Sequence, residues 1–323
     1  MRCVHFGSYW MGDNDVVCLM ARDLAALCDL VTIDTGLYSS ENYGWFEVDA
    51  SLNPQRPIHW LDHDRVIAAV NDARADFIIV NSGGMSLRPE TAEKLRSAGV
   101  ATVGISLSDP DVYQDHGIAY AHLYDLYYSN SMYSLKQQYP KNLKVRWLPF
   151  AASPSLHRPM PQVPKTYDVV IVGHARPERI QVVNSLKRYF SVGLFGSGWG
   201  YGSSAVHGEE HVRAINSGRI YLSFSATVAG YMNVKVGLLE AAACRTCLIT
   251  KAFAEVEKFF RSGMEIYLYK DTDDLVASVR HCLSSPYVRD WLAENSYARF
   301  LSDHTWESRW NGVIHDVRQC KLG

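Results

Sequence analysis

Residues 219–250 read RIYLSFSATVAGYMNVKVGLLEAAACRTCLIT, and the order of elements in this stretch decides the fold. RIYLSFS (219–225) is a β-branched and aromatic run of strand length, and CLIT (247–250) is a second. Between them NVKVGLLEAAAC (233–244) is rich in Leu, Glu and Ala. Asn233 at its head is a good N-cap, so a helix is predicted from there. Strand, loop, helix and strand form the crossover that parallel strands require. The loop 226–232, which carries Gly230, ends where the first N–H groups of a helix are unpaired and its dipole is positive. Such a place suits a phosphate. Lys235 in the first turn opposes that dipole, which argues for a bound anion as compensation. Glu240 lies about two turns further in, on a helix otherwise small and apolar. Its carboxylate either turns toward a sugar hydroxyl or is solvated.

The rest of the chain sets the frame. Its 323 residues suffice for two domains, each with its own core. An apolar fraction of 47% and a charged fraction of 20% are those of an ordinary globular protein. A net charge of −2 implies no general affinity for nucleic acid or anionic membrane. MRCVHFGSYW enters a strand directly, and no apolar run approaches the roughly 20 residues of a membrane span, so a cytoplasmic protein is expected. Seven cysteines fit a reducing compartment. Cys244 and Cys247 make a C-x-x-C with no second pair, and they read as packing residues rather than a zinc or redox pair. The sequence neither requires nor excludes a homo-oligomer.

The first domain is expected over 1–152. RCVHF and LVTIDT are strands around a helix, with the loop GSYWMGDN and its Gly12 after the first strand. From Gly36 to Trp60 there is no clear period, but Tyr38, Tyr43, Trp45, Phe46 and Trp60 argue against disorder. These rings either meet a sugar or flat acceptor or pack the loop down. DFIIVNS, VATVGISLS, LYYSNS and VRWLPFA are further strands alternating with helices, the pattern of an open parallel α/β sheet. The turn LSDPDVYQDH leaves a strand's carboxyl end. Asp109 and Asp111 there can orient or deprotonate an acceptor hydroxyl, or simply form a turn.

SPSLHRPMPQVPK, with four prolines, marks a linker at 153–165. The second domain is expected over 166–305. It restarts the pattern with YDVVIVG, then a turn and helix start carrying Gly173, His174, Arg176 and Arg179. SVGLFGSGWG follows, ending in Gly196, Gly198 and Trp199. From Pro286 the chain reads as helical, with Trp306 and Trp310 four apart on one face.

These motifs, in this order, resemble the group 1 glycosyltransferases, and most of all their spore maturation protein-like branch. GLLEAAACRTCLIT matches the family's donor segment, with Glu240 at its ribose-binding glutamate. WLPFAASPSLHRP, GSGWG and SDHTWESRW match shorter phrases. Gly237 stands where the family often has Arg, Arg245 where it often has Gly, and Met232 where many relatives have an acidic residue. The resemblance implies two Rossmann-like α/β domains facing across a cleft (GT-B), with 306–323 packing back onto the first. It implies transfer of a sugar from a nucleoside diphosphate sugar to an acceptor, with retention the default.

The chemistry needs the departing diphosphate stabilised and the acceptor hydroxyl aimed. No metal and no cofactor beyond the donor substrate is expected. Arg176 and Arg179 are the best phosphate candidates, because guanidinium forks match phosphate oxygens. Gly173, His174, Asn233 and Lys235 are placed with them, and Gly196, Gly198 and Trp199 near the base. Gly12, Tyr43 and Trp45 are assigned to the acceptor, and Asp109 and Asp111 to catalysis. His63 and His116 rank low. A nucleotide-sugar 2-epimerase and a non-catalytic nucleotide-sugar-binding protein of the same fold are the alternatives.

Overall fold

The computed structural model describes residues 1–9, 15–37, 39, 43–51, 53–82, 84–200 and 203–322. The chain divides into two compact units, Met1–Pro149 with Trp306–Gly323, and Phe150–Thr305. No described helix is long and apolar enough to cross a membrane.

The first unit runs β1 (Arg2–Gly7), α1 (Val16–Ala25), β2 (Asp29–Asp34), β3 (Phe46–Asp49), β4 (Ile58–Leu61), α2 (His63–Ala73), β5 (Phe77–Ser82), β6 (Met85–Ser86), α3 (Pro89–Ser97) and β7 (Ala101–Ser106). After a π-helical turn come α4 (Ile118–Tyr120), β8 (Leu126–Ser129), α5 (Met132–Gln137) and β9 (Val145–Trp147). Six strands form one parallel sheet in the order β2-β1-β5-β7-β8-β9. β1 and β5 are buried among Val4, Phe6, Ile78 and Val80, as near-continuous apolar strands of a parallel sheet must be. The aperiodic stretch 36–60 contains structure that its composition hid. β3 pairs antiparallel with β4, and β4 parallel with β6, in a small separate sheet. Four-residue strands are too short to show alternation.

The second unit runs β10 (Tyr167–Val172), α6 (Pro177–Leu186), β11 (Val192–Phe195), α7 (Gly208–Asn216), β12 (Gly218–Ser223), α8 (Val236–Ala243), β13 (Cys247–Lys251), β14 (Tyr267–Tyr269), α9 (Thr272–Ser284) and α10 (Pro286–Asp303). Its sheet is parallel throughout, in the order β11-β10-β12-β13-β14. From β10 the chain passes to β11 on one side and then returns to β12 on the other. The switch point of the sheet therefore lies between β10 and β12, and ligands bind beyond the carboxyl ends of strands at such a point.

Two stretches differ from expectation, and the C-terminal boundary agrees with it. The proline-rich stretch 153–165 is not a loose spacer: Ser153, His157, Met160 and Val163 are buried in the second unit. Asn216 fastens it, its side-chain oxygen accepting from Met160 N at 2.8 Å and its amide donating to the Arg158 carbonyl at 3.1 Å. The helix expected from Asn233 begins at Val236, with Lys235 as N-cap. Asn233 is instead buried ahead of the helix, its backbone N–H donating to the Ser225 carbonyl at 3.1 Å. The C-terminal helical run breaks at His304–Thr305, and α11 (Trp306–Leu322) belongs to the first unit. There Trp306 and Trp310 are fully buried, and the Trp310 indole donates to the Met20 carbonyl of α1 at 2.8 Å.

Candidate active site

A cavity of about 470 Å³ opens at the switch point of the second sheet. Its walls are the ends of β10 and β12, the turn after β11, the first residues of α7, and the N-terminus of α8. Glycine shapes the two turns. Gly173 (φ 139°), Gly196 (φ 129°) and Gly198 (φ 85°) adopt conformations that side-chain-bearing residues avoid. A Cβ on Gly196 would stand 2.3 Å from the Gly173 carbonyl oxygen, so the turns pack backbone to backbone. The Trp199 indole donates to that same oxygen at 2.7 Å. Trp199, placed near the base from the sequence, is also a strut that joins the turns.

Cations gather on one side. Arg176 is the N-cap of α6, and Arg179 lies in that helix's first turn. The Arg179 guanidinium donates to the His174 carbonyl at 2.9 Å and lies over the Phe224 ring at 5.3 Å. Burial and the neighbouring Arg176 pull its pKa below the ordinary arginine value. Lys235, at the N-cap of α8, lines the same cavity. Two helix N-termini and three basic side chains therefore converge on one space, the arrangement that receives an anion. His174 is exposed and hydrogen-bonded to Ser197.

Glu240, one turn into α8, lines the same cavity and is 9% exposed. Its Oε2 is 2.9 Å from His211 Nε2 and its Oε1 is 3.3 Å from His157 Nε2. Burial alone would raise this carboxyl; the charge of His211 and the hydrogen bonds of His157 and His211 overturn that and hold it far below the usual range. His211 shows the reciprocal effect, since burial pulls it down and Glu240 lifts it above its ordinary value. The three side chains offer ligand atoms within 4.8 Å of one another. The open choice between sugar hydroxyl and solvent is narrowed accordingly: the carboxylate is neither solvated nor alone.

Neither histidine was assigned a site role from the sequence, although His157 is the histidine of the phrase WLPFAASPSLHRP. The available signal was Glu240 itself, because a buried carboxylate on an apolar helix face needs partners. The departures from the family pattern have local reasons. A Cβ on Gly237 would meet the Tyr221 hydroxyl at 2.5 Å, so Tyr221 fills the space that an arginine there would need. Arg245 takes the left-handed conformation (φ 54°) that suits glycine after a helix, and pairs with Glu294.

The residues assigned to acceptor and catalysis belong to the first unit. Asp109, expected to orient or deprotonate an acceptor hydroxyl or to form a turn, is 2% exposed. Its Oδ2 accepts from Ser129 Oγ at 2.5 Å and from the Tyr139 hydroxyl at 2.9 Å. Burial raises its pKa, and those hydrogen bonds only partly oppose the rise. Asp111 donates its backbone N–H to the Ser108 carbonyl at 3.2 Å, and its own carbonyl accepts from Arg56 at 2.7 Å. Trp45 packs edge-on against Phe6, and the Arg65 guanidinium lies 4.1 Å from its ring centre. One face of this ring is therefore already covered. Tyr43 is 42% exposed, and Gly12 lies outside the described residues. His63 bonds Thr91 at 2.9 Å, and His116 is buried against Tyr120.

The family comparison matches the segment that builds this cavity. Residues 176–314 fit the profile of a family described as Glycosyl transferase-like. Comparison with curated proteins gives no match. Among solved structures, sucrose-phosphate synthase from Thermosynechococcus elongatus superposes with a TM-score of 0.68 at 13% identity, covering 99% of this chain and 98% of that one. The Anabaena protein HepE, in complex with UDP-glucose, gives 0.66 at 12% identity over 99% and 100%. AviGT4, a glycosyltransferase involved in avilamycin A biosynthesis, gives 0.63 at 14% identity over 100% and 98%. The fold is that of the GT-B glycosyltransferases, with two Rossmann-like parts. Fold and matched segment together define the class: an enzyme of the glycosyltransferase type.

Proposed function

We propose that the chain transfers a sugar from a nucleoside diphosphate sugar to an acceptor hydroxyl, and that the donor binds in the cavity of the second unit. One observation carries this reading. Arg176, Arg179 and Lys235 converge at two helix N-termini, in one cavity with a buried carboxylate, at a sheet switch point. The cations receive the diphosphate and Glu240 accepts the ribose hydroxyls. The UDP-glucose complex of HepE supports a nucleotide sugar as the ligand class.

The leaving diphosphate gains charge as its bond to the sugar breaks, and preorganised cations stabilise that charge most where water is excluded. Arg176 and Arg179 supply this without a metal in our reading, with retention at the anomeric carbon. The acceptor is assigned to the first unit, in the neighbourhood of Tyr43. Asp109 is enclosed by Ser129 and Tyr139, so we assign it to holding that unit together rather than to proton transfer. The order of motifs favours the spore maturation protein-like branch.

Incubation with UDP-, GDP- and dTDP-sugars, followed by detection of slow donor hydrolysis, tests the reading. Release of free sugar and nucleoside diphosphate is expected. Conversion to an epimeric nucleotide sugar, or binding without turnover under any acceptor, would replace transfer by one of the two alternatives.

A further inference from the structure

We propose that His157 and His211 are positioning residues for Glu240, and that together they make the site select ribonucleotide over deoxyribonucleotide donors. We also propose that the His211 proton sets the net charge the donor's diphosphate meets. The proposal rests on the donor-site reading above and names the substrate class and pH response of that site.

An ionised carboxylate has about four acceptor positions, two on each oxygen. His157 faces Oε1 and His211 faces Oε2, so each ring takes one position on a different oxygen. One position is left on each oxygen, and the carboxylate lines the cavity. Two acceptors on adjacent oxygens fit two adjacent hydroxyls, the 2′- and 3′-OH of ribose. A 2′-deoxyribose leaves one of the two acceptors unmatched, and an unmatched buried polar group is costly.

The two histidines differ. His157 is 3% exposed, and its Nδ1 has no hydrogen-bond partner among the described residues. This fits the tautomer with its hydrogen on Nε2, donating to Glu240 and leaving Nδ1 bare, since an N–H buried there would lack an acceptor. A ring bound to a metal through Nε2 would carry that same N–H on Nδ1, where metal-bound histidines normally have a partner. The geometry therefore favours a hydrogen-bonded clamp. His211 lines the cavity and faces the same carboxylate at 2.9 Å. Arg176, Arg179 and Lys235 share the cavity as cations, and His174, His207 and Tyr221 are its other titratable groups. With His211 protonated, its pair with Glu240 is neutral. Once the proton leaves, the carboxylate's negative charge opposes a diphosphate in the same space.

The first test uses the unliganded chain. Imidazole resonances are followed through a pH titration by NMR, with His211 assigned through His211→Gln. His211 is expected to titrate above its ordinary value and to move down in Glu240→Gln. A His211 that titrates at or below the ordinary value and ignores Glu240→Gln overturns the proposal, whether or not nucleotide binds. Stoichiometric shifts of both rings on adding zinc overturn it as well.

The second test is calorimetry with UDP against dUDP and GDP against dGDP. The parent is expected to prefer the ribonucleotide by about tenfold or more. Its affinity should fall roughly two- to fivefold from about pH 7.5 to about pH 8.5, above the last ionisation of the diphosphate and below that of the uracil and guanine N–H. His211→Gln should flatten that slope, and His157→Gln should shrink the ribose preference. Equal affinity for ribo and deoxy forms in a parent that binds them, or a slope that survives His211→Gln, contradicts the proposal. Failure to bind any of the four speaks against the donor-site reading instead, and the NMR titration then decides the clamp.

Discussion

Two buried carboxylates, one in each unit, have similar exposure and opposite surroundings. Asp109 in the first unit is held by hydroxyls, among them those of Ser129 and Tyr139. Glu240 in the second is held by two imidazoles and lines a cavity that contains three cations. Hydroxyls solvate a charge only in part, so burial prevails and the Asp109 pKa rises. Imidazoles can carry the opposite charge, and the Glu240 pKa falls. Burial does not by itself mark a functional carboxylate. Its partners and its access to a cavity do.

The comparison makes separable predictions. The largest effect is expected from the cations: Arg176→Ala with Arg179→Ala should weaken donor binding by about a hundredfold or more, because two charge-assisted contacts are lost. Calorimetry with UDP measures it, and a loss below tenfold would move the diphosphate elsewhere. Next is Glu240→Ala, expected to weaken donor binding about ten- to a hundredfold. The counterpart in the first unit, Asp109→Asn, should leave donor binding within about twofold and instead lower the melting temperature. The amide NH2 cannot accept from both the Ser129 and Tyr139 hydroxyls, and one buried donor left unmatched costs about 1–3 kcal/mol, roughly 2–10 °C in a unit of this size. If Asp109→Asn stops transfer while the melting temperature stays put, Asp109 is a catalytic group after all.

Stability against pH separates the two carboxylates further. Glu240 has a depressed folded pKa, so its contribution is present above the unfolded carboxyl value near 4.5 and is lost as pH falls through the folded value. His211 has a raised folded pKa, so its contribution is complete below 6.5 and is lost as pH rises through the folded value. The pair therefore stabilises the second unit most between those limits. Asp109 runs the other way: its raised pKa favours the protonated form, and the first unit loses stability as pH climbs from the unfolded carboxyl value to the folded one. Hydrogen exchange of each unit, measured from about pH 4 to about pH 9, should show an optimum for β12 and α8 and a decline for β7 and β8. The smallest effect is expected from a chelator: transfer in EDTA should stay within about twofold of the untreated rate.

What was legible in the sequence follows from range. Strands such as DFIIVNS and CLIT carry their signal within a few residues, and both appear where the pattern puts them. The switch-point cavity was legible too, because Gly173, Gly196 and Arg176 sit at strand ends in sequence. The environment of Asp109 was not: its partners Ser129 and Tyr139 lie 20 and 30 residues away. The Glu240 clamp was hidden for the same reason, since His211 is 29 residues distant and His157 sits in a stretch whose prolines suggested a spacer. Asn233 misled locally. It has the chemistry of a cap, but the chain enters the helix at Lys235 instead.

The central claim is that the second unit's cavity holds the donor, and a crystal of the chain soaked with UDP tests it most directly. The account predicts the diphosphate against Arg176, Arg179 and Lys235, with ribose hydroxyls on Glu240. A nucleotide bound away from the β10 and β12 ends, or a ribose that leaves Glu240 with only its two histidines, would contradict it.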